Sequence, residues 1–339
     1  MTAPIALVTG ASGFVGANIV AALNEAGWQV RTLLRKTSSH AGLAGLAYTP
    51  VLGDVTDPAS LQPAMQGCTA VFHAAGVVAD YWNQDKTLTY HVNVDGTRNV
   101  VEAALMAGVP RLVFTSSQAA LGFSTGQQPV DETHTFNLHP RVYPYGHSKH
   151  LAEQVVQTAV QRGLHAVIVN PSVVLGPRDA TLYNSQIILN IQAGRLPLVP
   201  AGGVNVVDAT DLARGHLLAL QKGRPGERYL LAGHNITLLH LGRQIAAALD
   251  VAWPRGVIPD RLIGALALTI DGLNRVSPRR LPLAGDVLRF GSRYIYADNG
   301  KAMRELAWQV TPLPQTIAQA ILWLRSVGAL PPARPRRAR

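Results

Sequence analysis

The chain has a single cysteine, Cys68, in 339 residues. It therefore forms no internal disulfide and fits a reducing compartment, the cytoplasm. No run reaches the roughly 18 to 20 apolar residues of a membrane span. No basic-then-apolar leader follows Met1, because the first apolar run reads as a core strand. No internal repeat is visible. Acid is scarce: 30 Lys and Arg face 20 Asp and Glu, a formal charge of +10. Four arginines lie in the acid-free tail after Leu330, which reads as disordered. A basic balance suits nucleic acid, a membrane surface or an anionic ligand. No aromatic-interleaved basic helix and no nucleic-acid motif accompanies it. An anionic cofactor, with or without an anionic substrate, is the simplest partner. No metal-ligand set is read from the sequence.

What is present is organised around Ile5 to Gly16, I-A-L-V-T-G-A-S-G-F-V-G. A short apolar run, a glycine turn and a helical pattern follow one another, the order of a dinucleotide site. Gly10 permits the turn out of the strand. Gly13 lets a pyrophosphate approach the backbone, and Gly16 lets helix and strand pack closely. The anion then sits at a helix N-terminus, whose free N–H groups and dipole favour it. The expected cofactor contacts are Gly10, Ser12, Gly13, Phe14, Val15 and Gly16. The spacing is G-x-x-G-x-x-G, and by itself it is a weak signal.

Alternating strand and helix patterns predict an α/β fold: a Rossmann-type, doubly wound parallel sheet with a smaller C-terminal α+β substrate-binding region. The expected division is 1–175 for the nucleotide-binding part, with later segments returning to it, 176–330 for the substrate part, and 331–339 for the tail. The second strand is read from Trp28 to Leu34. NAD enzymes place an acid near its end, but here Arg35 and Lys36 follow. An arginine there can pair with a 2′-phosphate, which favours NADP with NAD as the alternative. The bland reading is a solvated loop charge. Asp54, with Val55 beside it, can accept a bond from an adenine amino group, or can be a turn aspartate. Asp57-Pro58 opens a helix. Ala74, Ala75 and Gly76 leave room for a sugar or phosphate against the backbone, and His73 reads as a packed strand histidine.

A helix is expected over Asp85 to Ala107, with Asn93 inside it. A strand over Arg111 to Thr115 runs into Ser116 and Ser117. A loop over Gly122 to Val142 is followed by a helix over Tyr143 to Gln161, then a sixth strand over His165 to Asn170 leading to Pro171 and Ser172. Further helices are read over Tyr183–Ala193, Asp208–Leu220, Thr237–Leu249, Arg261–Leu273, Lys301–Leu306 and Leu313–Val327. The apolar Arg261–Leu273 segment, flanked by Arg255, Arg275, Arg279 and Arg280, is a lid or core helix or a membrane-surface element.

Tyr145 and Lys149 stand one helical turn apart, on one face. A free tyrosine, with pKa near 10, is a poor base. A nearby ammonium favours the phenolate, so Lys149 is expected to lower Tyr145 and to bond the nicotinamide ribose. Ser117 can donate to a substrate oxygen while Tyr145 moves the proton.

T-G-A-S-G-F-V-G, G-D-V-T-D, H-A-A-G, N-V-D-G-T-R-N, F-T-S-S, Y-G-H-S-K and N-P-S-V-V-L-G-P resemble, in order and spacing, the extended short-chain dehydrogenase/reductase family over nearly the whole chain. The chain is similar to the branch holding dihydroflavonol reductases, 3β-hydroxysteroid dehydrogenases and sugar-epimerase-like proteins linked to hopanoid synthesis. The resemblance implies Ser117, Tyr145 and Lys149 as a catalytic triad, with Ser117 chosen over Ser116 for its distance from Gly122. It implies Asn93 as the residue holding the active-site end, Pro171 and Ser172 as cofactor contacts, and a homodimer through the helices of Asn93 and Tyr145. Gln118 and Ala119 replace the acidic pair of the family's sugar dehydratases, so that chemistry is not expected.

Three functions compete. The first is an NADP-dependent oxidoreductase acting on a ketone or secondary alcohol of a small, fairly apolar molecule, with Val77, Val78, Tyr81, Trp82 and Leu262 to Ile270 as apolar lining or core. The second is a nucleotide-sugar epimerase with tightly bound NAD, in which Arg195, Arg214, Arg293 or Arg304 could hold a diphosphate, although each taken singly reads rather as a solvated surface charge. The third is a non-catalytic NADP-binding regulator.

Overall fold

The computed structural model describes residues 3–78, 85–196, 198–252, 256–276 and 285–332. Tyr81, Trp82, Arg255, Arg279, Arg280 and the tail beyond 332 lie outside the described residues, as does the side chain of Arg275.

Strand β1 (Ile5–Thr9) is buried from Ala6 onward, as an interior strand of a parallel sheet must be. The glycine turn leads into α1 (Phe14–Glu25). Then come β2 (Gln29–Leu34), β3 (Thr49–Leu52), α2 (Pro58–Met65) and β4 (Ala70–His73). Asp57 caps α2 by accepting from the Ala59 N–H at 3.2 Å. The expected single helix over Asp85 to Ala107 is three pieces in series. These are α3 (Lys86–Tyr90), a π turn at His91–Asp95, and α4 (Gly96–Met106). Next follow β5 (Leu112–Thr115), α5 (Pro144–Gln161) and β6 (Ala166–Pro171).

The second half holds β7 (Val173–Leu175), α6 (Gln186–Gln192), β8 (Leu198–Pro200), β9 (Gly203–Asp208) and α7 (Ala209–Lys222). It continues with β10 (Arg228–Leu231), β11 (His234–Thr237), α8 (Leu238–Leu249), β12 (Gly256–Ile258) and α9 (Asp260–Val276). It ends with α10 (Gly285–Gly291), β13 (Tyr294–Ile295), α11 (Gly300–Leu306) and α12 (Leu313–Ser326). Helix α6 starts later than the pattern at Tyr183 suggests. The Asp179 carboxylate accepts the Ser185 N–H at 2.8 Å and its hydroxyl at 2.9 Å, holding the preceding residues in turns.

The main sheet has seven parallel strands in the order β10-β6-β5-β4-β1-β2-β3. The seventh, β10, had no reading of its own in the sequence. It comes back from the second half to lie beside β6, pairing Tyr229 with Val169. Helix α7 returns with it, burying Leu212, Ala219 and Leu220 in the same core as Ile19 and Leu23 of α1. The strand order reverses between β1 and β4, the place in such sheets where ligands collect beyond the strand ends. A smaller sheet is built on β9, antiparallel to β11 and parallel to β7 and β13. Its core joins α6, α8 and α12. Helix α9 buries Ile263, Ala267 and Ile270 with Ile258 and Leu288, while Leu262 is 51% and Leu268 69% exposed. It is thus a core helix on one face and apolar toward solvent on the other.

Two glycines make the nucleotide-site turn possible. Gly10 has φ +68°, and a Cβ there would lie 2.6 Å from the Ala75 nitrogen and 2.7 Å from the Ala74 oxygen. A Cβ on Gly16 would lie 2.2 Å from the Gly10 carbonyl oxygen, so the helix packs directly on the turn. Gly16→Ala should therefore cost about 1–3 kcal/mol of stability through overpacking. Thermal unfolding measures this as a lowered Tm, and an unchanged Tm would mean that the turn has slack.

Candidate active site

The C-terminal ends of β1, β4, β5 and β6 face one region. At the β1 end, no side chain caps α1, whose N-cap is Gly13 in extended geometry. A Cβ on Gly13 would have only the Gly10 oxygen near it, at 3.2 Å, so the space above this turn is open. Ala11 lies buried under the turn beside Ser12, and Phe14 packs into the core while Val15 packs against it. Uncapped N–H groups above an open cradle fit a pyrophosphate. At the β6 end, beside Pro171, the Ser172 hydroxyl oxygen is enclosed with no hydrogen-bond partner. An orphaned polar atom there suits a ligand amide.

Arg35 and Lys36 leave the end of β2 exposed, next to the β1 turn because Leu33 pairs with Thr9. The Arg35 backbone N–H donates to Ser38 Oγ at 3.0 Å. The Asp54 carboxylate closes a turn, accepting the Thr56 N–H and hydroxyl, each at 2.9 Å on Oδ1. The turn reading of Asp54 therefore holds, with the other oxygen left over. Val55 is buried, and a Cβ on Gly96 of α4 would lie 2.8 Å from its Cγ2. Ala74 and Ala75 lie against the Gly10 turn, and Gly76 lies against Lys149, where a Cβ would stand 3.0 Å from Nζ. His73 is fully buried, bonded to Thr9 Oγ1 at 2.7 Å and Thr97 Oγ1 at 3.0 Å. Burial lowers its pKa to about 3, so it stays neutral.

The two serines after β5 have different surroundings. Ser116 is buried and donates to Glu153 Oε1 at 2.5 Å. Ser117 caps a 3₁₀ turn by accepting the Ala119 N–H at 3.1 Å, and its hydroxyl hydrogen-bonds the Tyr145 phenol. Asn170 Nδ2 donates to the Ser117 carbonyl at 2.9 Å, fixing the backbone there.

Lys149 is 4% exposed and donates to the Thr115 carbonyl at 3.0 Å. Its ammonium sits 5.1 Å from the centroid of the Phe114 ring. Burial brings its pKa down to about 8, against the raising influence of Glu153. Burial holds the Tyr145 phenol above its ordinary 10.0, opposed by the Ser117 hydrogen bond, so the net shift is not the lowering expected from Lys149.

Asn93 neither faces solvent nor makes the local bond usual for a helix Asn. It is 1% exposed within the π turn. Its Nδ2 donates to the Val77 carbonyl and to Ser148 Oγ, both at 2.9 Å, and its Oδ1 accepts the Val77 N–H at 2.8 Å. Ser148 in turn donates to the Tyr145 carbonyl at 2.7 Å. Asn93 therefore ties the loop after β4 to the first turn of α5.

Of the four arginines considered for a diphosphate, Arg214 is ion-paired with buried Asp211, and Arg304 lies beside Gly300 and Asp298. The residues that sequence reasoning missed are Glu153, Asn170 and Ser148. A carboxylate one turn beyond Lys149, on the same helix face, was the available signal for the first. Among the described residues no cluster of His, Cys, Asp or Glu could hold a metal ion, and no helix is long and apolar enough to cross a membrane.

The chain's relatives are reductases, dehydrogenases and epimerases, and with this parallel sheet they make it an NAD(P)-dependent oxidoreductase or epimerase. A family model described as "NAD dependent epimerase/dehydratase family" matches residues 6–232, and the chain belongs to that family. It is 35% identical to a putative dihydroflavonol 4-reductase of Synechocystis, over 95% of this chain and 94% of that one. It is 34% identical to sterol demethylase protein B of Methylococcus capsulatus, over 96% and 99%. The crystal structure of gox2253 shares 35% identity with it and superposes with a TM-score of 0.83, covering 96% of this chain and 99% of that one.

The lowered basicity of Lys149 can be read without a substrate. In an NMR titration of the lysine side chains, one ammonium should lose its proton near pH 8, and Lys149→Met should remove that signal. All lysines titrating near 10.4 would contradict this burial.

Proposed function

We propose that the protein is an NADP-dependent reductase of a ketone on a small, fairly apolar molecule, with Ser117, Tyr145 and Lys149 as its catalytic residues. The observation that carries this is geometric: the Ser117 hydroxyl bonds the Tyr145 phenol, and the buried Lys149 ammonium stands one turn further along the same helix. A phenol and a hydroxyl so paired can orient a carbonyl oxygen and give it a proton. When bound, the nicotinamide supplies the hydride. Ser117 donates to the substrate oxygen and orients it. Tyr145 delivers the proton to that oxygen as it gains charge. Lys149 holds the ribose and offsets the negative charge left on the phenol. The uncapped start of α1 binds the pyrophosphate, Ser172 the carboxamide, and the free oxygen of Asp54 the adenine amino group.

Arg35 and Lys36 support NADP over NAD, because both are exposed beside the glycine turn where an acid would repel a 2′-phosphate. Rings beside Tyr145 support an apolar substrate. Tyr143 stands edge-on to it at 6.4 Å, and Phe290 lies 5.1 Å and Phe123 5.3 Å from Tyr143 between ring centroids. Phe290 belongs to α10, which supports the assignment of the 176–330 segment to substrate binding. The 1–175 segment, rejoined by α7 and β10, is then the cofactor-binding part. The reading includes a cytoplasmic homodimer paired through the helices of Asn93 and Tyr145, which light scattering would test. An epimerase has less support, since Arg214 is already neutralised by Asp211. A non-catalytic regulator has no use for the intact Ser117, Tyr145 and Lys149.

Tyr145→Phe should lower NADPH-driven ketone reduction by about 10²- to 10⁴-fold while leaving NADPH affinity within about threefold. Unchanged turnover would end the catalytic reading. Arg35→Ser should weaken NADPH binding about tenfold and leave NADH nearly unaffected in fluorescence titrations. Equal effects on both cofactors would remove the 2′-phosphate role.

A further inference from the structure

Beneath the proposed site lies a carboxylate that the reaction does not use. Glu153, on α5 one turn beyond Lys149, is fully buried. Its Oε1 accepts from Ser116 Oγ at 2.5 Å and from Asn170 Nδ2 at 2.6 Å. Its Oε2 lies 2.7 Å from Nε of Arg228 as an ion pair without hydrogen-bond geometry, and the Arg228 side chain is 22% exposed. These three partners come from the end of β5, the end of β6 and the start of β10. A buried ion is costly unless several groups hold it, and this one has three.

The same arrangement reaches the site along two paths. Asn170 Nδ2, which donates to Glu153, also donates to the Ser117 carbonyl at 2.9 Å. Ser116, which donates to Glu153, directly precedes Ser117. Along α5, the carboxylate lies one turn from the Lys149 ammonium. We propose that Glu153 is a positioning residue for this site: its clamped carboxylate fixes the strand ends that carry Ser117 and balances the buried charge of Lys149. This rests on the reading of Ser117, Tyr145 and Lys149 as the hydride-transfer site.

The charged and titratable groups around the pair are few. Facing Lys149 are Tyr145 and Glu153 on α5 and His73 on β4, which is neutral because its pKa is about 3. Facing Glu153 are Arg228 on β10, and Lys149 and His150 on α5. Burial lowers His150, with Glu153 acting to raise it and Arg228 to lower it. The carboxylate of Glu153 acts to raise Lys149 against the effect of burial. Removing the carboxylate removes that influence, and Lys149 must lose its proton more readily.

The test uses Glu153→Gln and Asn170→Ala in the full chain. In the lysine NMR titration, Glu153→Gln should move the Lys149 signal down by about one pH unit, and Asn170→Ala should leave it in place. These readings need no substrate and stand whether or not the hydride reading is right. With an active ketone, Glu153→Gln should also shift the alkaline limb of kcat to lower pH. At pH 6, where Lys149 is charged in both proteins, it should still lose about tenfold in kcat, because Ser117 is displaced. Asparagine-mediated placement is checked by Asn170→Ala, which should reproduce the pH 6 loss without moving the limb. If Glu153→Gln does not fold, an Asn170→Ala enzyme with unchanged kcat at pH 6 overturns the proposal. A Lys149 signal that stays near pH 8 in folded Glu153→Gln overturns it as well. So does a Glu153→Gln enzyme whose kcat matches wild type at pH 6.

Discussion

The ammonium of Lys149 is buried almost completely, and an unpaired buried charge is among the most costly features a protein can carry. Three things hold it: the Thr115 carbonyl, the face of Phe114 and the charge of Glu153. Two of these belong to β5 and the third to α5. The lysine therefore locks helix to strand where the strand runs out, and Ser117 is placed by the same junction. Thr115 and Phe114 can serve only because β5 is interior to a parallel sheet, with β4 and β6 on either side. The site is a consequence of where that strand ends.

The second constraint is closeness of backbone. The β1 turn must approach Ala74 and Ala75, and α1 must approach the turn, and only hydrogen at Gly10 and Gly16 permits both. On the other side, Gly76 lies against Lys149 and Asn93. The loop after β4 thus touches the nucleotide cradle at one end and the lysine at the other. Asn93 stitches this loop to α5 through Ser148. The buried Asn93 lies in the π turn that joins α3 to α4.

Much of this was legible in the chain itself. Apolar runs broken by Gly, Asp-Pro and Thr marked β1, β2, β4, β5 and β6 and the helices between them, because interior parallel strands are rich in apolar residues and helix caps are chemically distinctive. Strand β10 was not legible as a partner of β6, since its pairing joins Arg228 to Ile168 across a long stretch of chain. Tyr145 and Lys149 could be placed on one helix face from spacing alone. Their electrostatics could be read only in part: Glu153 follows one turn along α5, but the burial of Lys149 and its contacts with Thr115 and Phe114 come from the sheet. The late start of α6 has the same origin: Asp179 acts on Ser185 through a turn whose shape is set by packing.

The central claim is that this site reduces a carbonyl with an exchangeable NADP. The most direct measurement is the identity, stoichiometry and exchange of the nicotinamide carried by freshly purified protein. The account predicts a largely empty site, or NADP(H) that exchanges within seconds against added cofactor. Near-stoichiometric NAD that does not exchange would contradict it, since an enzyme that returns its hydride to the same substrate must retain its nicotinamide between the two half-reactions.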